Sequence, residues 1–98
     1  MVMTSVSLAR AEPLTAGVIL DKMDAEERFT YLAGLMEGLA YARYLADGKA
    51  SEGQNCLYAW FYETRSNRRK IEEVFRRYPD HRAAPIVLAL TKRDCGAP

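Results

Sequence analysis

The chain of 98 residues contains only two cysteines, Cys56 and Cys95, which stand 39 positions apart. Two cysteines and one histidine are too few ligands for a structural zinc site of the usual kind, and no CxxC spacing is present. An even number of cysteines in a short chain fits one structural disulfide, and two unrelated buried thiols are the alternative. Closing a loop of about 40 residues would stabilise the fold by roughly 4 kcal/mol. We therefore expect the middle of the chain to be covalently joined to its C-terminal end.

Apolar residues recur at helical spacing, and no segment alternates with the period of two that is typical of strands. The longest helical pattern follows Asp24, which forms a capping-box motif with Glu27 three residues later. Gly48, directly after Asp47, predicts the C-terminal end of this helix. Its apolar spacing predicts one buried face, made of Phe29, Leu32, Ala33, Met36, Leu39, Ala40 and Tyr44.

A second stripe on the same helix consists of Gly34, Gly38 and Ala42, each four residues apart. Glycine inside a helix costs roughly 1 kcal/mol relative to alanine, so a compensating contact is expected. We expect another helix to approach closely here, either from this chain or from a second subunit. Packing within the chain is the simpler interpretation.

Two segments flank the long helix. Thr15 is placed to cap a short helix over residues 16–23, and residues 49–55 are polar and predict a connector.

The aromatic residues that follow, at positions 58 and 60–62, predict a compact helix. Since four aromatic side chains in five positions cannot all face one core, we expect Tyr58 and Tyr62 to lie on a different side from Trp60 and Phe61.

Two further helices are predicted towards the C-terminus. The first begins at Ser66 or Asn67 and ends at Pro79; the second is capped by Asp80 and ends at Gly96. Their inward-facing positions are Ile71, Val74, Phe75, Tyr78, Ile86, Val87, Leu90 and Cys95. The sequence thus predicts an all-α fold, a small bundle of four or five helices stapled by one disulfide.

The N-terminal residues 1–11 include Ala9-Arg10-Ala11, a small-x-small spacing that signal peptidase accepts. A complete signal peptide also needs a charged start and an apolar stretch, and neither is present. Residues 1–11 are therefore expected to be either a signal-peptide remnant or a disordered tail, and residues 12–98 a single helical domain. A remnant and a disulfide together favour an oxidising compartment such as the bacterial periplasm.

The sequence offers little for catalysis. His81 is the only imidazole, and neither cysteine has an obvious neighbouring base. The carboxylate pairs at residues 26–27 and 72–73 are sequence neighbours, which point in different directions on a helix. We therefore expect no catalytic residue, no metal site and no cofactor, and a protein that is not an enzyme. A small hydrolase or enzyme subunit that uses His81 is the alternative.

The charges are nearly balanced, with 14 basic and 13 acidic residues, which argues against a nucleic-acid or anionic-membrane binder. No segment approaches 18 apolar residues, so no transmembrane helix is expected. Nevertheless, residues 50–98 contain 9 basic and 6 acidic side chains. This imbalance predicts a contact surface for an acidic partner protein, and a solvated helix face is the alternative. The candidate contact residues are Arg65, Arg68, Arg69, Arg76, Arg77, Tyr58 and Tyr62.

Three segments, together with the two cysteines, are similar to a known family. They are residues 31–38 (YLAGLMEG), 71–79 (IEEVFRRYP) and 84–90 (APIVLAL). In this combination the chain resembles, over about residues 25–96, the Rap/Tai-type immunity proteins of the bacterial type VI secretion system. The resemblance implies a small periplasmic helical protein, commonly dimeric, that binds and blocks a peptidoglycan amidase effector. The proline that often follows the middle cysteine in the family is Leu57 here, and no effector-contacting residue is carried over.

A second functional hypothesis is an HdeA-like acid-stress periplasmic chaperone, which is also small, helical and cysteine-bridged. Such a protein exposes apolar surface when its carboxylates are protonated at low pH.

Overall fold

The computed structural model describes residues 14–98 as five α-helices and one π-helical turn, with no strand in that range. The α-helices are α1 (Ala16–Lys22), α2 (Ala25–Ala46), α3 (Glu52–Tyr58), α4 (Arg65–Arg77) and α5 (Ala83–Cys95), and the π-helical turn is Ala59–Glu63. The predicted all-α class is confirmed. The prediction for residues 1–11 lies outside the described residues. Within residues 14–98, no helix combines the length and apolar character needed to cross a membrane.

The starts of the first two helices follow the sequence prediction. The side chain of Thr15 accepts a hydrogen bond from the backbone N–H of Val18. Asp24 Oδ1 accepts from the N–H of Glu27 at 2.8 Å, and Glu27 Oε1 accepts from the N–H of Asp24 at 2.9 Å. The capping box is therefore closed in both directions, which satisfies two otherwise unpaired donors and fixes where α2 begins.

The buried face of α2 is narrower than its apolar pattern predicts. Leu32, Met36 and Ala40 are buried, but Phe29 is 43% exposed. The stripe predicted to pack internally is open, because a Cβ built on Gly34 or Gly38 would meet no atom within 4 Å. The expectation that another helix of this chain covers the stripe is therefore wrong for the part of the chain that the structure describes.

The segment predicted as a polar connector is partly helical, since α3 begins at Glu52. Its Gly53 is buried against α2, where a Cβ would collide with the Arg43 guanidinium and the Asp47 carboxylate. Arg43 is held in place because its Nε donates to Asp47 Oδ2 at 2.7 Å and its Nη1 donates to the Gly96 carbonyl at 3.0 Å. Glycine at position 53 thus lets α3 lie close to this pair.

The boundaries of the last two helices differ slightly from the prediction. Helix α4 begins at Arg65, one or two residues earlier than expected, and Tyr78 lies beyond the helix and is exposed rather than buried. Arg82, not Asp80, is the N-cap of α5. Gly96 ends α5 with a φ of 72°, a left-handed conformation that glycine adopts without strain.

The core contains apolar side chains from every helix and from the π-helical turn. Its members are Ala16, Ile19, Leu32, Met36, Ala40, Leu57, Trp60, Phe61, Ile71, Phe75, Ala83, Ile86, Val87 and Leu90. The predicted disulfide is present: Cys56 on α3 is bonded to Cys95 on α5, with a Cα–Cα distance of 5.9 Å. Trp60 Nε1 donates to Asp94 Oδ2 at 2.7 Å beside this link. The C-terminal end of α5 is therefore fixed to the middle of the chain by one covalent bond and one side-chain hydrogen bond.

Candidate functional site

Four aromatic rings from α2, α3 and the π-helical turn meet at one edge of the bundle. We call this cluster, which consists of Phe29, Tyr58, Phe61 and Tyr62, the aromatic corner. Phe29 stacks on Phe61 with ring centroids 5.5 Å apart, and Tyr62 packs edge-on against Phe61 at 5.0 Å. Phe61 is buried, whereas Phe29 and Tyr62 are 43% and 41% exposed. The corner thus has a buried base and an accessible aromatic rim.

The π-helical turn places these rings. Its wider winding leaves backbone carbonyls without helical partners, and side chains at the start of α4 bind them. Asn67 Nδ2 donates to the Trp60 carbonyl at 3.0 Å, and Arg68 Nη1 donates to the Phe61 carbonyl. With these carbonyls satisfied, Trp60 and Phe61 enter the core while Tyr62 stays at the surface. The predicted division therefore holds for Tyr62, whereas Tyr58 is half-buried and packs against the core.

Arg68 connects the aromatic corner to α4. Its Cζ lies 5.5 Å from the ring centroid of Phe29 and 5.7 Å from that of Phe61. Both distances fall within the range of cation–π attraction. Arg68 therefore binds the backbone of the π-helical turn and covers two rings of the corner, so its guanidinium is held in one position at the junction with α4.

Glu37 borders the corner on the α2 side. The Tyr62 hydroxyl donates to Glu37 Oε2 at 3.4 Å. Partial burial, and then the nearby Glu37 carboxylate, raise the pKa of the Tyr62 phenol above its ordinary value of 10.0. Tyr62 thus presents a neutral phenol at neutral pH, able to donate or accept a hydrogen bond.

The exposed side of α4 carries Arg65, Arg69, Arg76 and Arg77, which we call the basic face. The ion pairs within residues 14–98 join Arg28 to Glu72 and Arg43 to Asp47, so none includes an arginine of this face. The first turn of α4 also lacks an acidic residue. Because the N-terminal end of a helix is the positive end of its dipole, arginines there add to a positive potential instead of compensating it. The positive charge is therefore unbalanced at the Arg65 and Arg69 end of the basic face, whereas Arg76 and Arg77 lie in the last turn of α4, where cations compensate the dipole.

The structure brings together some of the residues predicted to bind a partner and separates others. Arg65, Arg68 and Arg69 line one shallow depression with Glu72, next to the aromatic corner. Arg76 and Arg77 lie on the same helix, about 10 Å further along its axis at 1.5 Å per residue. Glu72, which also lines this depression, pairs with Arg28 of α2 at 3.1 Å.

Phe29 is the member of this surface that the sequence pattern did not single out. Its spacing from Leu32 and Ala33 is that of a core residue, which is why it was predicted to be buried. Phe29 lies in the second turn of α2, where the surface between α2 and α4 is open enough to leave its ring partly exposed. A partly exposed ring next to a guanidinium depends on how the helices pack, and no local sequence signal predicts it.

His81, the residue of the alternative enzymatic hypothesis, lies in the loop before α5. It is exposed, and its ring packs edge-on against Tyr78 at 5.2 Å. Within residues 14–98, no group of three or more histidine, cysteine, aspartate or glutamate side chains is placed to hold a metal ion. The accessible chemistry of the described surface is therefore aromatic packing, hydrogen bonding and attraction of negative charge.

Comparison with protein-family models, curated proteins and solved structures found no match for this chain.

Proposed function

We propose that this chain is a non-catalytic protein-binding module, whose contact surface is the aromatic corner together with the adjoining basic face. The observation that carries the proposal is the junction at Arg68. There a fixed guanidinium lies over Phe29 and Phe61, and exposed arginines continue along α4. Aromatic and arginine side chains contribute most of the binding energy in protein interfaces, especially where a rigid centre is surrounded by a polar rim.

The charge of the surface defines the partner's chemistry. Arginines without ion-pair partners, at the positive end of a helix, attract an acidic protein surface and raise its association rate. The partly exposed rings of Phe29 and Tyr62 fit an apolar or aromatic side chain of that partner. The partner we propose is therefore a folded protein with carboxylates around a small apolar patch.

The resemblance of the chain to type VI secretion immunity proteins supports a more specific role. We propose that the partner is a secreted cell-wall amidase and that binding inhibits it. Such an encounter takes place in the periplasm, and the disulfide between Cys56 and Cys95 fits that oxidising compartment.

The proposal is tested with the purified, disulfide-bonded chain and a panel of secreted peptidoglycan amidases, including any encoded beside its gene. Binding is measured by calorimetry, and inhibition by release of stem peptides from peptidoglycan. The test variant carries Arg65→Glu and Arg69→Glu, and Arg93→Glu is its control, since Arg93 is an exposed arginine on α5.

We expect at least one amidase to be bound and inhibited, with binding weakened more than tenfold by the double reversal and little by the control. Tyr62→Ala is expected to weaken binding while helical content stays unchanged. Absence of binding to every amidase would overturn the inhibitor role. Equal weakening by Arg93→Glu would overturn the assignment of the surface.

A further inference from the structure

An apolar cavity lies between the C-terminal halves of α2 and α5. Leu39, Ala42 and Ala46 of α2 form one wall, Leu88 of α5 forms the other, and the buried Leu57 of α3 lies at the base. We call this cavity, which is defined by its three leucines, the leucine groove. It shares no residue with the aromatic corner or the basic face, so its role is independent of the proposed function.

The frame of the groove is cross-linked at one end. The disulfide joins α3 to α5, and Arg43 of α2 donates to the carbonyls of Cys95 at 3.2 Å and Gly96 at 3.0 Å. The guanidinium of Arg43 is itself fixed by Asp47 at 2.7 Å. Gly96 turns the chain with a φ of 72°, and residues 96–98 line this end of the groove. Because these links fix the walls relative to one another, the cavity is preformed, and a ligand does not have to order it.

The rim of the groove carries the ammonium group of Lys92, which is exposed. The ion pairs within residues 14–98 do not include Lys92, and the neighbouring Asp47 carboxylate is paired with Arg43. Thr91, the other polar side chain of the described lining, is buried and donates its hydroxyl to the carbonyl of Leu88 at 3.0 Å. The groove thus offers apolar contact along its walls and one available cation at its edge.

We propose that the leucine groove binds a medium-chain carboxylic acid, with the alkyl chain against the leucines and the carboxylate at Lys92. A saturated chain needs only apolar surface, and the described lining has no aromatic side chain on which a planar ligand could stack. The negative ends of the α2 and α5 dipoles lie at the same edge. They disfavour a doubly charged head group such as phosphate, whereas a single carboxylate is balanced by one lysine.

The size of the cavity sets the length of the chain. Its volume is about 240 Å³. Since an apolar protein cavity of about 150 Å³ holds benzene, the leucine groove by proportion holds about ten carbon atoms. Each methylene that enters the groove is expected to tighten binding about fourfold, which corresponds to about 0.8 kcal/mol. Affinity should therefore rise from hexanoate to octanoate to decanoate and level off for longer chains.

The first test measures binding of these acids to the full, oxidised chain by calorimetry at low ionic strength. Octanol and octylammonium, which share the alkyl chain of octanoate, test the head group, and we expect both to bind more weakly than octanoate. Lys92→Gln should weaken octanoate binding about threefold, as expected for an exposed charge pair, and leave octanol binding unchanged. Arg93→Gln is the control, because Arg93 is an exposed neighbouring cation outside the lining.

A second test locates the ligand. In methyl NMR of the wild type, octanoate should shift the signals of Leu39, Leu57 and Leu88, but not those of Ile71, which lies on α4 outside the groove. Ala42→Phe fills the groove from an exposed position of α2 and should abolish binding while helical circular dichroism is retained. Ala84→Phe, which adds the same ring at an exposed position of α5 outside the groove, should bind octanoate like the wild type.

Three results would overturn the proposal. The first is absence of octanoate binding at millimolar concentration. The second is binding that shifts methyl signals elsewhere or persists in folded Ala42→Phe, because the site would then not be the groove. The third is octylammonium binding as tightly as octanoate, which would show that the rim does not select a carboxylate.

Discussion

At the scale of single residues, the phenol of Tyr62 makes the stability of the aromatic corner depend on pH. Partial burial is the larger cause of its raised pKa, and the Glu37 carboxylate adds to it. A folded-state pKa above that of the unfolded chain means that ionisation opposes folding. The stabilisation that the neutral Tyr62 phenol contributes to the fold is therefore fully present below the ordinary pKa of 10.0. It is lost as pH rises through the folded-state pKa.

Replacing Glu37 with glutamine is expected to lower the pKa of Tyr62 without restoring its ordinary value. The substitution removes the carboxylate's charge, whereas burial of the phenol remains. An alkaline titration of the Tyr62 ring signals by NMR measures the change. Glu26→Gln, in the first turn of the same helix, is the control and should leave the Tyr62 titration unaltered. An unchanged pKa in Glu37→Gln would show that the carboxylate has no influence.

At the scale of elements, the π-helical turn depends on the start of α4. Asn67 is buried, and its amide group binds the carbonyl of Trp60 at 3.0 Å. We expect Asn67→Ala to lower the free energy of unfolding by about 1–3 kcal/mol, because a buried carbonyl would be left without its donor. Urea unfolding measures the loss. Ser66→Ala, at an exposed neighbouring position, should change stability by no more than about 0.5 kcal/mol.

The elements differ in how well the sequence predicts them, for identifiable reasons. The start of α2 was predictable because Asp24 and Glu27 bind each other's backbone within four residues. The start of α3 was not, because Gly53 is accommodated by Arg43 and Asp47 of another helix. The π-helical turn likewise depends on side chains of α4 that lie several residues later. The capping box of α2 was thus visible in the sequence, whereas these side-chain contacts between elements were not.

The candidate site was likewise only partly predictable from the sequence. The concentration of arginines on α4 was evident from the sequence, and so was the outward position of Tyr62. The place of Arg68 over Phe29 was not, since it requires long side chains of α2 and α4, far apart in sequence, to meet in the fold. The open stripe at Gly34 and Gly38 was recognised as a helix-packing surface, but its lack of a partner within residues 14–98 became clear only from the fold.

At the scale of the whole molecule, the disulfide limits how far the chain expands when it unfolds. It closes the segment between Cys56 and Cys95, which contains the π-helical turn, α4 and most of α5. Removing it by the double substitution Cys56→Ala and Cys95→Ala is expected to cost roughly 4 kcal/mol, mainly through a less restricted unfolded state. Urea unfolding of the variant, and of the wild type with and without reductant, measures the effect. A loss below about 1 kcal/mol would contradict the loop-closure argument.

The response to acid separates a binding module from an acid-stress chaperone. The buried polar side chains within residues 14–98 are Asn67 and Thr91, so no carboxylate in that range is buried. The two ion pairs are partly buried, with side chains 14–33% exposed, and neither belongs to the apolar core. Protonating the carboxylates therefore weakens two pairs outside the core but leaves the apolar packing of the core in place, and the disulfide does not titrate.

We accordingly expect the chain to keep its helical circular dichroism at about pH 2.5 and to bind no more hydrophobic dye than at neutral pH, unlike a molten globule. The reduced chain at the same pH serves as the control, because it shares every titrating carboxylate but lacks the covalent link. Strong dye binding by the oxidised chain, with its helices retained, would favour the chaperone hypothesis. In that case low pH would expose apolar side chains of the core, a change that the lack of buried carboxylates within residues 14–98 argues against.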